Sequence, residues 1–294
     1  MLNEETAPYG SSNPTPASTP QDAEASVLAV KKVRTVHLQQ AKDAGEKFAM
    51  LTSYDALTAT IFDRAGIELL LIGDSAGNNV LGHESTLTIT VDEMIPLVKA
   101  VSTAAKRAMV VADLPFGSYE QSPVQAVATA VRFMKEGGAH AVKMEATAHH
   151  VDHVRAMVAA GIPVMAHIGF TPQSEHALGG YRVQGRDGGQ ALKDTALALE
   201  EAGAFCLLME MTRSDVAADI DASVRIPIIG IGAGADVSGQ VLVWQDAFGL
   251  RQGKMARFVK QYANLYDTLF EGAAAYRSDV RSGAYPAAEH RFDS

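Results

Sequence analysis

Cysteine is nearly missing from this chain: Cys206 is the single one in 294 residues. That excludes an intramolecular disulfide framework and fits a reducing compartment. Cys206 sits in the apolar run Phe205-Cys206-Leu207-Leu208, which reads as a buried, inert thiol rather than a nucleophile. Nowhere does the sequence approach the roughly 18 consecutive apolar residues of a membrane helix. The basic n-region and apolar h-region of a secretory signal are also lacking. Positive charge is short as well, with 25 Lys+Arg against 34 Asp+Glu and a net charge of −9. No basic stripe is present to neutralise nucleic-acid phosphates. These absences lead to the expectation of a soluble, cytoplasmic, globular protein.

Apolar residues and glycine are plentiful, at 47% hydrophobic and 25 glycines, and the length suffices for a large core. Residues 1–28 are rich in Pro, Ser, Thr and Ala and are expected to form a disordered tail. Residues 29–294 are expected to form one domain. A short helix is expected over 35–42, closed by Gly45. From Phe48 onward a rhythm sets in. Strands are expected at 48–52, 69–73, 108–112, 141–144, 163–166 and 205–209, with two less marked ones at 226–229 and 240–244. Helices are expected between them, at 57–65, 150–160 and 191–202. Another opens at the capping box Thr90-Val91-Asp92-Glu93, and another at Ser122-Pro123. A last helix is expected over 254–281, with Phe258, Tyr262, Leu265, Leu269 and Tyr276 on one stripe.

The run Leu69-Leu70-Leu71-Ile72-Gly73-Asp74-Ser75 sets the theme of a buried strand that ends in ionisable or polar groups. Alone, Asp74 reads as a helix cap. The same arrangement recurs at Asp113, Glu145, His167 and Glu210. Eight strands alternating with helices imply a parallel sheet closed as a (β/α)8 barrel of the TIM type, whose active site lies at the C-terminal strand ends. An open doubly wound sheet is the alternative.

Carboxylates that end neighbouring strands converge and repel, so a proton or a cation must be shared. The oxygen donors and the absence of a Cys/His cluster suit Mg2+, which takes few protein carboxylates and leaves room for water and substrate. Lys143 stands two residues before Glu145, so both side chains point to one face. A cation there suits a carboxylate-bearing substrate. The competing reading is a buried ion network that serves stability alone. Gly230-Ile231-Gly232-Ala233-Gly234 is either an anion cradle or a loop in tight close approach, and it is not a dinucleotide fingerprint. His149-His150-x-x-His153 has metal-binding spacing but is expected to be a solvated helix face.

The segments 50–55 (MLTSYD), 71–76 (LIGDSA), 111–116 (VADLPF), 141–145 (AVKME) and 166–169 (AHIG) carry a specific resemblance. So do 171–174 (TPQS), 179–186 (GGYRVQGR), 230–234 (GIGAG), 243–249 (VWQDAFG) and Tyr285-Pro286 with Glu289-His290. Over residues 33–292 the chain resembles the ketopantoate hydroxymethyltransferase (3-methyl-2-oxobutanoate hydroxymethyltransferase) family of pantothenate and coenzyme A synthesis. The resemblance implies a barrel of the phosphoenolpyruvate/pyruvate-like type with a short N-terminal helix and C-terminal helices. It implies Asp74, Asp113 and Glu145 on Mg2+, and Asp74, Ser75, Asp113, Lys143 and His167 around the oxo acid. Glu210 is the implied proton acceptor, 5,10-methylenetetrahydrofolate the one-carbon donor, and a homo-oligomer (a decamer) the assembly.

Two departures stand out. Ala146-Thr147 follows Glu145 where Gly-Gly is usual, and Met211-Thr212-Arg213 follows Glu210 where a proline is usual. A lyase or mutase of the phosphoenolpyruvate mutase/isocitrate lyase type is the rival enzyme, disfavoured by the lack of a cysteine-bearing catalytic loop. A silent scaffold barrel is disfavoured because all four carboxylates are present.

Overall fold

A computed structural model describes residues 26–292. Among these, eight parallel strands close into a barrel in sequence order. They are β1 (Phe48–Thr52), β2 (Leu69–Ile72), β3 (Met109–Asp113), β4 (Ala141–Glu145), β5 (Val164–Gly169), β6 (Cys206–Glu210), β7 (Ile228–Ile231) and β8 (Gly239–Leu242). β1 pairs with both β2 and β8, which closes the ring. No described helix is long and apolar enough to cross a membrane.

Strand alternation sorts the apolar side chains into two cores. Leu70, Ile72, Val110, Ala112, Val142 and Met144 face outward into the layer shared with the helices. Leu69, Leu71, Met109, Val111, Ala141 and Met165 fill the barrel interior. Each fully buried Leu or Ile in these runs stabilises by about 2 kcal/mol relative to an exposed one. Leu28, Val33 and Leu38 join the inner core from the N-terminal segment. Leu38 belongs to the helix Thr35–Asp43, and Arg107 ties the segment in by donating to Leu28 O. Of the expected tail, residues 1–25 lie outside the described residues, while Leu28 is buried.

The interior turns polar one step further along the same inward-facing rows. Asp113 follows Met109 and Val111, Lys143 and Glu145 follow Ala141, His167 follows Met165, and Glu210 follows Cys206 and Leu208. Polar ends are thus set above an apolar floor by the two-residue period alone.

Three expected elements need correction. The helix over 254–281 begins only at Leu265 and runs to Ser282. At its start, Tyr262 N–H donates to Ala247 O and Leu265 N–H to Phe248 O, so tertiary bonds stand where helical ones were expected at these two residues. Phe258 and Tyr262 therefore leave the expected stripe, and no residue of the helix is buried. The strand expected at 226–229 is Ile228–Ile231, because Pro227 precedes it and offers only its carbonyl, to Leu207 N–H. The strand expected at 240–244 ends at Leu242, since Trp244 N–H donates to Thr52 Oγ1 and opens the helix Trp244–Ala247.

Gly169 closes β5 with φ +90°. A Cβ there would lie 2.3 Å from Glu210 O and 2.7 Å from Thr212 Oγ1. Gly161 has φ +81° but open space around it. Gly169→Ala is therefore expected to cost about 2–4 kcal/mol in urea denaturation, and Gly161→Ala about 1 kcal/mol. Equal losses would show that close approach to β6 is not what requires Gly169.

Candidate active site

A cavity of about 290 Å³ opens at the C-terminal ends of the strands, lined by Asp74, Ser75, Asp113, Lys143, His167 and Glu210. Its floor is apolar, with Leu71, Leu208 and Val241, and Tyr181, Arg251 and Phe258 also line it. Lys143 Nζ lies 2.6 Å from both oxygens of Asp113. The Asp74 N–H donates to Asp113 Oδ2 at 3.2 Å, so the β2 and β3 ends are joined through one carboxylate. Ser75 Oγ and the Tyr54 hydroxyl are 2.8 Å apart.

Glu145 stands apart from this group. Its two oxygens accept the backbone N–H of Gln173 at 3.1 and 3.0 Å. It lines a separate cavity of about 50 Å³ together with Tyr119, His150 and Gln173. His167 separates the two cavities: Nδ1 is 3.9 Å from Glu145 Oε1 and Nε2 is 3.5 Å from Glu210 Oε2. Among the described residues, neither imidazole nitrogen has a side-chain hydrogen-bond partner.

Electrostatics follow from burying four carboxyls around one ammonium. Burial pushes Asp113 up to about 7, against the pull of Lys143. Burial raises Glu145 well above the ordinary carboxyl range and raises Glu210 to about 8. Burial works against the charge on Lys143, but Asp113, Asp74 and Glu145 outweigh it and the amine is raised. His167 is held well below its ordinary value by burial and by Lys143, and is neutral. The inside of the site is short of positive charge, and protons or a cation must fill the deficit.

Six of the seven residues singled out in the sequence share the main cavity, while Glu145 lies behind it. The cap reading of Asp74 does not hold. The helix Ala76–Asn79 has no side-chain cap, and Asp74 Oδ2 accepts instead from Gln173 Nε2 at 3.0 Å. The glycine loop is a close-approach loop, since a Cβ at Gly232 would lie 2.7 Å from Phe258 Cδ1 and one at Gly234 2.6 Å from Ser214 Cβ. The histidine run is not the expected solvated face. His149 is exposed, but His153 is buried with both ring nitrogens unpartnered among the described residues, and His150 packs between it and Tyr119.

Cys206 is buried in the inner core, and burial raises its thiol far above the ordinary range. Among the departures, Ala146 N–H donates to His167 O. Met211 takes a left-handed φ of 44° while its carbonyl accepts Gln184 N–H. Sequence reasoning missed Tyr54 and Gln173. Both lie in the loops just beyond β1 and β5 and neither ends a strand, so the pattern of polar strand ends does not mark them.

Among the described residues, no group of three or more His, Cys, Asp or Glu side chains stands gathered for a metal ion. Asp113 is engaged by Lys143 and Glu145 by Gln173. The donor chemistry nevertheless fits Mg2+. The donors are hard oxygens with a surplus of carboxyls over cations, and Mg2+ commonly uses one or two carboxylates completed by water and substrate.

A family model described as ketopantoate hydroxymethyltransferase matches residues 32–288. A 3-methyl-2-oxobutanoate hydroxymethyltransferase of Paenarthrobacter aurescens (strain TC1) is 65% identical over 288 residues, covering 97% of this chain and 95% of the relative. One from Arthrobacter sp. (strain FB24) is 62% identical over 293 residues, covering 99% and 97%. Among solved structures, a phosphonopyruvate hydrolase complex with oxalate and Mg++ aligns with TM-score 0.57 at 16% identity, over 88% of this chain and 93% of that one. A 2,3-dimethylmalate lyase of the PEP mutase/isocitrate lyase superfamily aligns with TM-score 0.56 at 16% identity, over 88% and 91%. At that identity the likeness is one of fold, and it is the barrel expected from the sequence.

The raised Glu210 carboxyl has a consequence for stability. Between the ordinary carboxyl range and about 8 the folded state holds a proton that the unfolded state has released, so stability falls as pH rises across that window. Glu210→Gln removes this titration. Relative to the unmutated protein without metal, the variant is expected to gain stability as pH rises from 5 to 8, on the order of 3 kcal/mol in all. Thermal melts of both proteins across that range check it, and a constant difference would contradict it.

Proposed function

The chain belongs to the ketopantoate hydroxymethyltransferase family, a family of transferases, and from that premise we propose the reaction and its residue roles. A hydroxymethyl group passes from 5,10-methylenetetrahydrofolate to 3-methyl-2-oxobutanoate and gives 2-dehydropantoate. One observation carries the reading: Glu210, a buried carboxyl raised to about 8, shares a cavity with the Lys143–Asp113 pair and Asp74. A carboxyl so raised would serve as a base of suitable strength beside groups that would hold a 2-oxo acid.

Asp74 and Asp113, backed by Glu145, would hold Mg2+. When bound, the metal polarises the keto oxygen of the oxo acid and acidifies C3–H. Lys143 meets the negative charge of the substrate, and it is placed to do so by its bond to Asp113. The Ser75 hydroxyl, ordered by Tyr54, donates to the substrate carboxylate. Burial raises the Tyr54 phenol to about 12, so it stays protonated across the working range.

Glu210 takes the C3 proton. Its raised value makes it a stronger base than an exposed carboxylate, and one that is partly ionised near neutral pH. Neutral His167 fills the wall between Glu210 and Glu145 without adding charge. The enolate carbon then bonds to a formaldehyde equivalent drawn from the folate donor and water. The proton on Glu210 is available to the new alkoxide.

The same reading places the enzyme in the cytoplasm as a homo-oligomer, a decamer. Assembly is supported by the helix Leu265–Ser282, where Leu269, Phe270 and Tyr276 are exposed within a single chain.

Glu210→Gln is expected to lower Mg2+-dependent turnover by about 1,000-fold or more while calorimetric Mg2+ affinity survives. Asp113→Ala is expected to weaken Mg2+ binding by at least about tenfold. Full activity in the first variant would remove Glu210 from the mechanism. Unaltered affinity in the second would break the metal assignment.

A further inference from the structure

Gln173 lies in the turn Pro172–Ser174 just beyond β5 and is buried, with its backbone N–H and both ends of its side-chain amide engaged. Its backbone N–H serves both oxygens of Glu145. Its Nε2 donates to Asp74 Oδ2 and to Leu114 O, each at 3.0 Å. Its Oε1 accepts the Tyr119 hydroxyl at 2.7 Å. The amide orientation is fixed by chemistry, because the Leu114 carbonyl can only accept and so must face the NH2. Burial, with the nearby Glu145 charge, raises the Tyr119 phenol far above its ordinary value, so Tyr119 remains the donor to Oε1.

One residue from the β5 end thus grips carboxylates from the β2 and β4 ends, while Gln173 and Tyr119 stay outside the lining of the main cavity. The grip differs in kind from that of Lys143. An ammonium orients Asp113 and also neutralises it. Amide donors orient a carboxylate and leave its full charge available to a cation. We propose that Gln173, steered by Tyr119, is the positioning residue that presets Asp74 for a divalent cation and holds Glu145 behind it.

This rests on the Mg2+ reading above, and it predicts a specific separation of effects. Gln173→Leu keeps the volume and the backbone N–H but loses the side-chain donors to Asp74. Tyr119→Phe loses only the hydroxyl that steers the amide. MgCl2 is titrated calorimetrically into the full chain of each variant, with and without 3-methyl-2-oxobutanoate, alongside thermal midpoints and kcat at saturating Mg2+. Gln173→Leu is expected to weaken Mg2+ binding by about tenfold or more, and Tyr119→Phe by about threefold.

For both variants the Mg2+ dissociation constant is expected to shift by a larger factor than kcat. A merely structural role would lower the thermal midpoint and leave the dissociation constant in place. Folded Gln173→Leu with Mg2+ affinity within about twofold of the unmutated protein would overturn the proposal. If that variant does not fold, unchanged affinity in Tyr119→Phe overturns it. Absence of Mg2+ binding by the unmutated chain would sink the metal reading itself and this inference with it, which is a distinct outcome.

Discussion

Four buried carboxyls around a single buried ammonium make the constraint on which the rest of this structure depends. Asp74, Asp113, Glu145 and Glu210 are each largely removed from water, and Lys143 is the cation that pulls on three of them in common. Ionising all four without further compensation is prohibitively expensive. The deficit can be met by retained protons, in line with the upward push of burial on the Asp113 and Glu210 carboxyls, or by an added cation. A carboxyl kept protonated by burial is also a ready base once a cation arrives to take up negative charge elsewhere. The cost of burial and the capacity for proton abstraction are one property.

The barrel makes such an arrangement sustainable. Below the polar ends, Leu69, Leu71, Met109, Val111, Met165 and Leu208 form a packed floor that holds the strands in register whatever the charge state above. The polar groups are then divided among partners of different character. Lys143 takes Asp113, Gln173 takes Asp74 and Glu145, and His167 stays neutral between Glu145 and Glu210. Gly169 lets β5 run close against the Glu210 backbone, so the Glu210 carboxyl is placed by main chain rather than by a flexible loop.

Much of this was legible in the sequence. Runs such as Leu69-Leu70-Leu71-Ile72 announce strands buried on both faces, and the residue that ends each run announces the site. The two-residue period carries that inference from Met109 to Asp113 and from Ala141 to Lys143. Long-range contacts were not legible. Nothing local marks Gln173 as a partner of Asp74, 99 residues away, or Tyr119 as a partner of Gln173, 54 residues away. The segment 254–264 has helical periodicity, but its Tyr262 N–H donates to Ala247 O, and Leu265, just after it, donates to Phe248 O. His153 looked solvated because helical spacing alone does not reveal which face packs. The set-back of Glu145 is a further case: strand alternation gives its side, and the turn that follows β5 gives its partner.

The central claim is that this site ionises the C3–H bond of a 2-oxo acid with a protein carboxylate and a divalent cation, before any one-carbon donor takes part. NMR of 3-methyl-2-oxobutanoate in D2O with the unmutated protein, in the absence of folate, measures that step directly. The account requires the C3 proton signal to be lost to deuterium when Mg2+ is present, and to persist when Mg2+ is removed. Retention of the C3 proton in the presence of Mg2+, or exchange at the same rate without it, would contradict the account.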